Sequence, residues 1–511
     1  MFKSFSSYFT IREAQENGQK SNGQSKDSVG TKISMGDGNN YQPFFISNDP
    51  KSEHHGKNKN LAPIVKAFKE GANWGWTRDP KTGEDKPVKI SGKKLYMVGG
   101  SVRDHLMGKT PKNIDLATDA SPDEIYRILT QNDFKFINNT GEEKGPSKND
   151  SNAQGNTFSI KTKDTKGRPF QFEIKVKNDT FVLSLLTKNS KGGENSPIKD
   201  AEPGTLQDDA SSRDFTMNAM AIPLTNDNGP NKELVDFFGG VHHLNNGKVL
   251  AVGDLKSKIQ EDPLRAMRFV RMAARYGKPD QISQSYKDTI KNSANLLREP
   301  DDTGMPKVSK DRIRDEFMKG LDYDDVNPKQ YLGLHRDLGL LDSIFPNANL
   351  NLNFPKSLSE LGDKTMPIAW LFKDEMPEKI EKLLTGENWD KNDLKKILFL
   401  IKSLRLNGEN DPDTLSDLTN GFMSSGITSK KLKDWLTKVG GKDDNLVNGF
   451  LQYLTSPRIK TTDGDQVREE FKDVIDPLTL KPTPYTIEEV NSRCKMLEHK
   501  LFRSILAKRK A

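Results

Sequence analysis

Leu61, Ile64, Val65 and Phe68 fall at i, i+3, i+4 and i+7, the apolar stripe of a short amphipathic helix that docks on the folded segment after it. The chain before it behaves differently. Residues 1–60 are rich in Ser, Asn, Gly and Lys and hold no sustained period beyond the opening peptide, where Phe2, Phe5 and Phe9 stand at near-helical spacing; a disordered tail is expected. At Lys93 the pattern changes. Leu95-Tyr96-Met97-Val98 predicts a strand, Gly99-Gly100 a turn, Ser101 to Met107 a helix stopped by Gly108, and Asn113 to Thr118 a second strand. Alternation predicts two more strands, Phe158 to Lys163 and Phe170 to Lys177, with polar insertions at 141–156 and 188–204. After residue 214 the period becomes 3.6, and helices are expected at 263–276, 310–321, 328–341, 378–385, 391–404, 428–438 and 485–508. Strands first and helices afterwards predict an α+β chain.

Composition sets limits more than it suggests a function. At 511 residues the chain has room for roughly three or four folding units. Only 33% of residues are hydrophobic, 30% are charged and the mean hydropathy is −0.77, so part of the chain is expected to be solvated. The 79 Lys and Arg exceed the 72 Asp and Glu by 7, which permits a polyanionic partner without requiring one. Cys494 stands alone, leaving no disulfide partner and no cysteine zinc site, and the seven histidines lack metal-ligand spacing. No uncharged run approaches about 18 residues, so no transmembrane helix is expected. Within 499–511, Lys500, Arg503, Lys508, Arg509 and Lys510 are accompanied by no acid, as in a solvated end or a nucleic-acid backbone contact.

Candidate chemistry begins at Asn113-Ile114-Asp115. Strand alternation sets Asn113 and Asp115 on one face, so two oxygen ligands point the same way, with the bare amides of Gly99-Gly100 nearby. Such a pair suits Mg²⁺ and a triphosphate, although an ordinary turn and strand end looks the same. On the strand from Phe170, the polar face carries Gln171, Glu173, Lys175 and Lys177; if that strand adjoins Asp115, Glu173 is a candidate third oxygen ligand. Ser212 to Ala219 gathers Arg213, Asp214, Thr216 and Asn218, which equally suit helix caps. Asp262 and Arg265 lie three apart at a helix start. A carboxylate acceptor beside a guanidinium donor can read the amine-bearing edge of cytosine or adenine, or can simply serve the helix dipole and the surface.

Taken in order, these segments resemble the class II tRNA nucleotidyltransferase/poly(A) polymerase family, best known through the CCA-adding enzymes. Val98-Gly99-Gly100-Ser101-Val102-Arg103-Asp104 is similar to the family's G-G-x-V-R-D, Thr205 through Ala219 to its second motif, and Glu261 through Gly277 to its E-D-x-x-R helix. Leu234-Val235-Asp236, Gly239-Gly240 and Val252-Gly253-Asp254 resemble its hinge, and the likeness extends over 93–346. The resemblance implies a mixed-sheet, polymerase-β-like nucleotidyltransferase head at 93–235, a helical neck with a base-selecting helix at 236–346, and a helical body and tail at 347–511, behind a docking helix and linker at 61–92. It further implies Asp115 as a Mg²⁺ ligand, with Asn113 in the place of the family's first acid; Glu173 joins them as a catalytic and metal candidate if its strand lies adjacent. Gly99, Gly100 and Arg103 would border the triphosphate, Arg213, Asp214 and Asn218 the ribose and phosphates, and Asp262 with Arg265 would select C and A. The implied reaction is attack of a tRNA or other RNA 3′-hydroxyl on the α-phosphorus of CTP or ATP.

The chain departs from the family's D-x-D at Asn113, whose amide brings no charge; by analogy with deleting one preorganised electrostatic group, the loss is on the order of 10² to 10³ in rate. Ser212 replaces one of two paired arginines, and His243 stands where the hinge usually has an acid. Besides CCA addition, the readings are poly(A), CC or A addition, and a catalytically attenuated RNA-binding or packaged protein. A cytoplasmic location is expected, with organellar import or packaging through residues 1–20 as the alternative; Ile11-Arg12-Glu13-Ala14 resembles the cleavage signal of head-delivery peptides in tailed phages. His335-Arg336-Asp337 looks like a kinase catalytic loop, but no glycine-rich ATP loop or D-F-G accompanies it, and it is set aside.

Overall fold

Four consecutive apolar or aromatic residues, Leu95 to Val98, leave no polar face, and the strand they form is buried on both sides near the middle of a nine-stranded mixed sheet. The computed structural model describes residues 31–35, 41–47, 58–78, 85–111, 113–137, 156–164, 166–188, 202–300, 304–322, 325–407, 410–454 and 487–510. The first half runs β1 (Thr31–Ser34), β2 (Phe44–Ile46), α1 (Ala62–Glu70), β3 (Ala72–Arg78), β4 (Asp85–Ile90), β5 (Leu95–Val98), α2 (Gly100–Leu106), β6 (Asp115–Thr118) and α3 (Pro122–Gln131). It continues through β7 (Phe134–Phe136), β8 (Asn156–Lys163), β9 (Pro169–Val176), β10 (Asp179–Leu185), α4 (Leu206–Ser212), β11 (Met220–Pro223), β12 (Gly229–Asn231) and β13 (Glu233–Asp236). Sheet order is β1-β13-β11-β5-β6-β10-β9-β8-β7.

Residue parity divides the sheet into two faces. Leu95, Met97, Leu116, Phe172, Leu183 and Ile222 join the large core beneath α1 and α3. Tyr96, Val98, Ala117, Leu186 and Ala221 form a small separate cluster under Leu206 of α4. Asp115 shares the parity of Ala117 and so belongs to this second face, at the end of its strand.

The helical half contains α5 (Gly240–Asn245), α6 (Leu255–Glu261), α7 (Leu264–Tyr276), α8 (Gln284–Asn292), α9 (Lys310–Leu321), α10 (Pro328–Asp337), α11 (Leu341–Ile344) and α12 (Thr365–Leu371). It closes with α13 (Pro377–Gly386), α14 (Lys391–Ser403), α15 (Pro412–Ser425), α16 (Ser429–Asp434), α17 (Asp444–Leu454) and α18 (Ile487–Lys510). Among the described residues no helix is long and apolar enough to cross a membrane.

Two sequence expectations need correction, and one condition is not met. Residues before 61 were expected to carry no fold, yet β1 pairs antiparallel with β13 at the sheet edge and β2 pairs with β12, burying Met35, Phe44 and Ile46. Three or four residues are too few to register as a period, and both strands draw their stability from distant partners. The second predicted strand starts at Asp115; Asn113 lies in a bend ahead of it, so strand alternation does not govern its direction. The condition attached to Glu173, that its strand β9 adjoin the Asp115 strand, is not met, because β10 lies between them. The readings of Phe2, Phe5, Phe9 and Ile11 to Ala14 fall outside the described residues.

Candidate active site

Gly99 adopts φ 75 and ψ −139 between β5 and α2, a conformation that L-residues avoid. Its bare Cα gives room to Arg213, whose Nη1 would stand 2.6 Å from a Cβ there. Arg213 follows α4 and is held by Asp209 one turn earlier, through Nε at 3.0 Å and Nη2 at 2.9 Å. Burial would pull its pKa down, but Asp209, then Asp115 and Asp214, outweigh burial and hold the guanidinium above its ordinary value. Asp115 is thus an electrostatic neighbour of Arg213 although they are far apart in sequence.

Ser101 fixes the loop before β6 to the first turn of α2. Its buried hydroxyl donates to the Asn113 carbonyl at 3.0 Å and accepts the Asp115 N–H at 3.0 Å. Asn113 and Asp115 are themselves exposed. Glu173 lies in the same cross-strand row as Asp115, through Val182. Two strand spacings separate their backbones by about 9–10 Å, so the side chains share a face without touching by geometry alone. Lys175 Nζ lies 3.1 Å from Glu173. Among the described residues no three His, Cys, Asp or Glu side chains are grouped as a ready-made metal site.

Arg103 faces inward and is only 6% exposed. Its Nη1 donates to Asn218 Oδ1 at 2.6 Å, and its Nε and Nη2 donate to Asp104 at 3.0 and 2.8 Å. Asn218 in turn donates to Asp214 Oδ1 at 3.0 Å. Burial alone would raise the Asp214 pKa; Arg268, Asn218, the Phe215 N–H and Arg265 reverse this and keep it below the usual carboxylate value.

At the start of α7, Asp262 and Arg265 are buried and each has a partner of its own. Asp262 accepts from Arg312 of α9 at 3.2 Å. Arg265 donates to Glu261 at 2.8 Å, to the Lys258 carbonyl at 3.1 Å and to the Ser212 carbonyl at 3.3 Å. The last of these bonds joins the helix to the second motif. Sequence reasoning missed Arg268, Arg271, Arg312 and Glu316. Arg268 lies 3.9 Å from both Asp214 and Asp262, and Arg271 reaches Glu316 at 2.5 Å. A signal was present, because arginines at 265, 268, 271 and 275 recur at helical spacing in an otherwise apolar helix.

His243 is bonded at Nδ1 to Thr216 Oγ1 at 2.9 Å, and burial lowers its pKa. His335 is fully buried in α10 against Phe317 and Tyr331, which removes the kinase-loop likeness.

Residues 95–250 match the poly A polymerase head domain. The chain is 29% identical to the mitochondrial CCA tRNA nucleotidyltransferase 1 of Mus musculus, over 61% of this chain and 63% of that protein. It is 30% identical to the CCA-adding enzyme of Latilactobacillus sakei over 45% of this chain and 47% of that one. With Poly(A) polymerase I of Haemophilus influenzae it shares 28% identity over 50% of this chain and 48% of that protein. The matches thus span about half to under two thirds of these relatives. The solved CCA-adding enzyme of Bacillus stearothermophilus in complex with CTP has the same fold, with TM-score 0.53 at 17% identity over 88% of this chain and 98% of that one.

Proposed function

We propose that the chain is a template-independent RNA nucleotidyltransferase that adds C and A from CTP and ATP to tRNA 3′ ends. The observation that carries this reading is that the Arg213 guanidinium sits against the Gly99 turn and feels the charge of Asp115. The RNA 3′-oxygen attacks the α-phosphorus, and the bond to the pyrophosphate oxygen breaks. Mg²⁺ sites on nucleotides commonly use one or two protein carboxylates and complete the shell with phosphates and water. An exposed Asp115 fits that mode, with the exposed Asn113 two residues earlier and Glu173, on the same sheet face, as the candidates for further oxygens. Bound there with the nucleotide, the ion would neutralise charge on the triphosphate.

The chain's own groups do the rest. Arg213 offers a guanidinium to the phosphates at the glycine turn, where no side chain on Gly99 blocks approach. Asp214, kept ionised by its surroundings, is an acceptor for a ribose hydroxyl. Asp262 accepts from the exocyclic amine of C or A and Arg265 donates to the adjoining ring position, the bonds to Arg312 and Glu261 giving way to the base. Arg103 acts from behind, through Asn218. On this reading 93–235 does the chemistry, 236–346 selects the base and 347–511 holds the RNA.

Incorporation of labelled CTP and ATP into tRNA lacking its terminal CCA, with Mg²⁺, tests the reading. Activity that Asp115→Ala abolishes supports it. Absence of incorporation by the wild type, or full activity in Asp115→Ala, overturns it.

A further inference from the structure

We propose that Tyr276 is a positioning residue that fixes the tilt of α7 on the head and thereby sets the base choice made at the other end of that helix. The inference rests on the nucleotidyltransferase reading above and adds to it a residue without contact to nucleotide or RNA.

A closed circuit of polar contacts begins and ends on α7. Arg268 of α7 approaches Asp214 at 3.9 Å, Asp214 accepts from Asn218 at 3.0 Å, and Asn218 accepts from Arg103 at 2.6 Å. Arg103 donates to Asp104 at 2.8 Å, and Asp104 Oδ1 accepts from the Tyr276 hydroxyl at 2.6 Å, which returns the circuit to α7. The phenol ring is 6% exposed and is flanked by the guanidiniums of Arg103 at 4.2 Å and Arg275 at 4.9 Å and by Lys109 at 5.0 Å. Asp325 binds both Arg275 and Lys109, which closes the cage from outside. Burial keeps the phenol protonated, so it remains a donor to Asp104.

Two attachments constrain a rigid rod in a way that one cannot. Arg268 and Tyr276 are about 12 Å apart along the axis, and Arg265 lies roughly 5 Å beyond Arg268 on the other side, with Asp262 just ahead of the helix. With Arg268 as pivot, a slip of about 1 Å at Tyr276 tilts the helix by about 5° and moves the base-reading atoms by roughly half an ångström, the tolerance of a positioned site. Selection at one end of the helix therefore depends on the latch at the other.

The test measures kcat and KM for CTP, ATP, UTP and GTP, with the melting temperature, in the full chain and in Tyr276→Phe, which keeps the ring and its stacking but removes the hydroxyl. The expected result is a fall of about 3- to 10-fold in kcat/KM for CTP and ATP, the size of one lost hydrogen bond, with UTP and GTP little changed. The selectivity ratio falls by the same factor. Asp104→Ala removes the acceptor of the same contact from the head side and serves where Tyr276→Phe fails to fold; the double variant is expected to be no worse than the poorer single. A purely structural role would scale all four nucleotides together, and that outcome, or unchanged ratios in a wild type that does select C and A, overturns the inference alone. A wild type that incorporates no nucleotide overturns the functional reading first and this inference with it.

Discussion

The guanidinium of Arg213 fills the space that a side chain on Gly99 would need, with Nη1 2.6 Å from the position of a Cβ. Gly99→Ala therefore imposes two costs, an alanine at φ 75 and a displaced arginine. The backbone term alone is about 1–3 kcal/mol. Expected are a lower melting temperature and at least about a tenfold loss of nucleotide incorporation, in line with removal of one preorganised electrostatic contact. Incorporation that survives intact would detach Arg213 from the chemistry.

Asn113→Asp adds a carboxylate beside Asp115 without rebuilding the loop, because Ser101 grips the main chain of both residues and not their side chains. Turnover at limiting Mg²⁺ is expected to rise by about 10², the reverse of deleting one such group. A titration of rate against Mg²⁺ for wild type and variant checks this. Equal curves would mean that position 113 lies outside the metal's reach.

Much of this site could be read from local pattern, and what could not depends on partners far away in sequence. Helix α7 is predicted within a residue of its observed bounds because its apolar stripe and the Pro263 start are both local signals. Strand β10 escaped notice although Phe181, Leu183 and Leu185 alternate, since its place between β6 and β9 is decided by pairing partners. The same limit applies to Arg103: a motif names the residue but not the direction of its guanidinium, which Asn218, Asp104 and Tyr276 together pull inward. Asn113 is the opposite case, where alternation was extended two residues ahead of the real strand start.

His335 gives a pH dependence of stability. Burial lowers its pKa from 6.5 to about 4, opposed only by its bond to the Tyr331 carbonyl. The native imidazole stays neutral through this window while the unfolded chain takes up a proton, so stability falls as pH drops from about 6.5 towards 4, by on the order of 2–3 kcal/mol. Thermal melts across that range are expected to show a slope that His335→Leu reduces. An equal slope in the variant would assign the acid sensitivity to other groups.

Glu316 of α9 is 1% exposed and faces two arginines of α7, Arg271 at 2.5 Å and Arg268 at 4.0 Å. One of its oxygens, Oε2, has no hydrogen-bond partner, so this carboxylate is desolvated and depends on nearby positive charge. Glu316→Ala leaves Arg271 and Arg268 with less compensation in a closed space, and the expected cost is about 3–5 kcal/mol, the range for removing one partner of a buried pair. Glu316→Gln keeps shape and one acceptor and should cost less, while still weakening the pull on Arg268. Since Arg268 also faces Asp214 and Asp262, the Gln variant is expected to lose discrimination between CTP and UTP before it loses RNA binding. Chemical denaturation separates the stability effect, and competition of CTP with UTP in the incorporation assay reads the selectivity. A Gln variant that matches the wild type in both would leave Glu316 as packing alone.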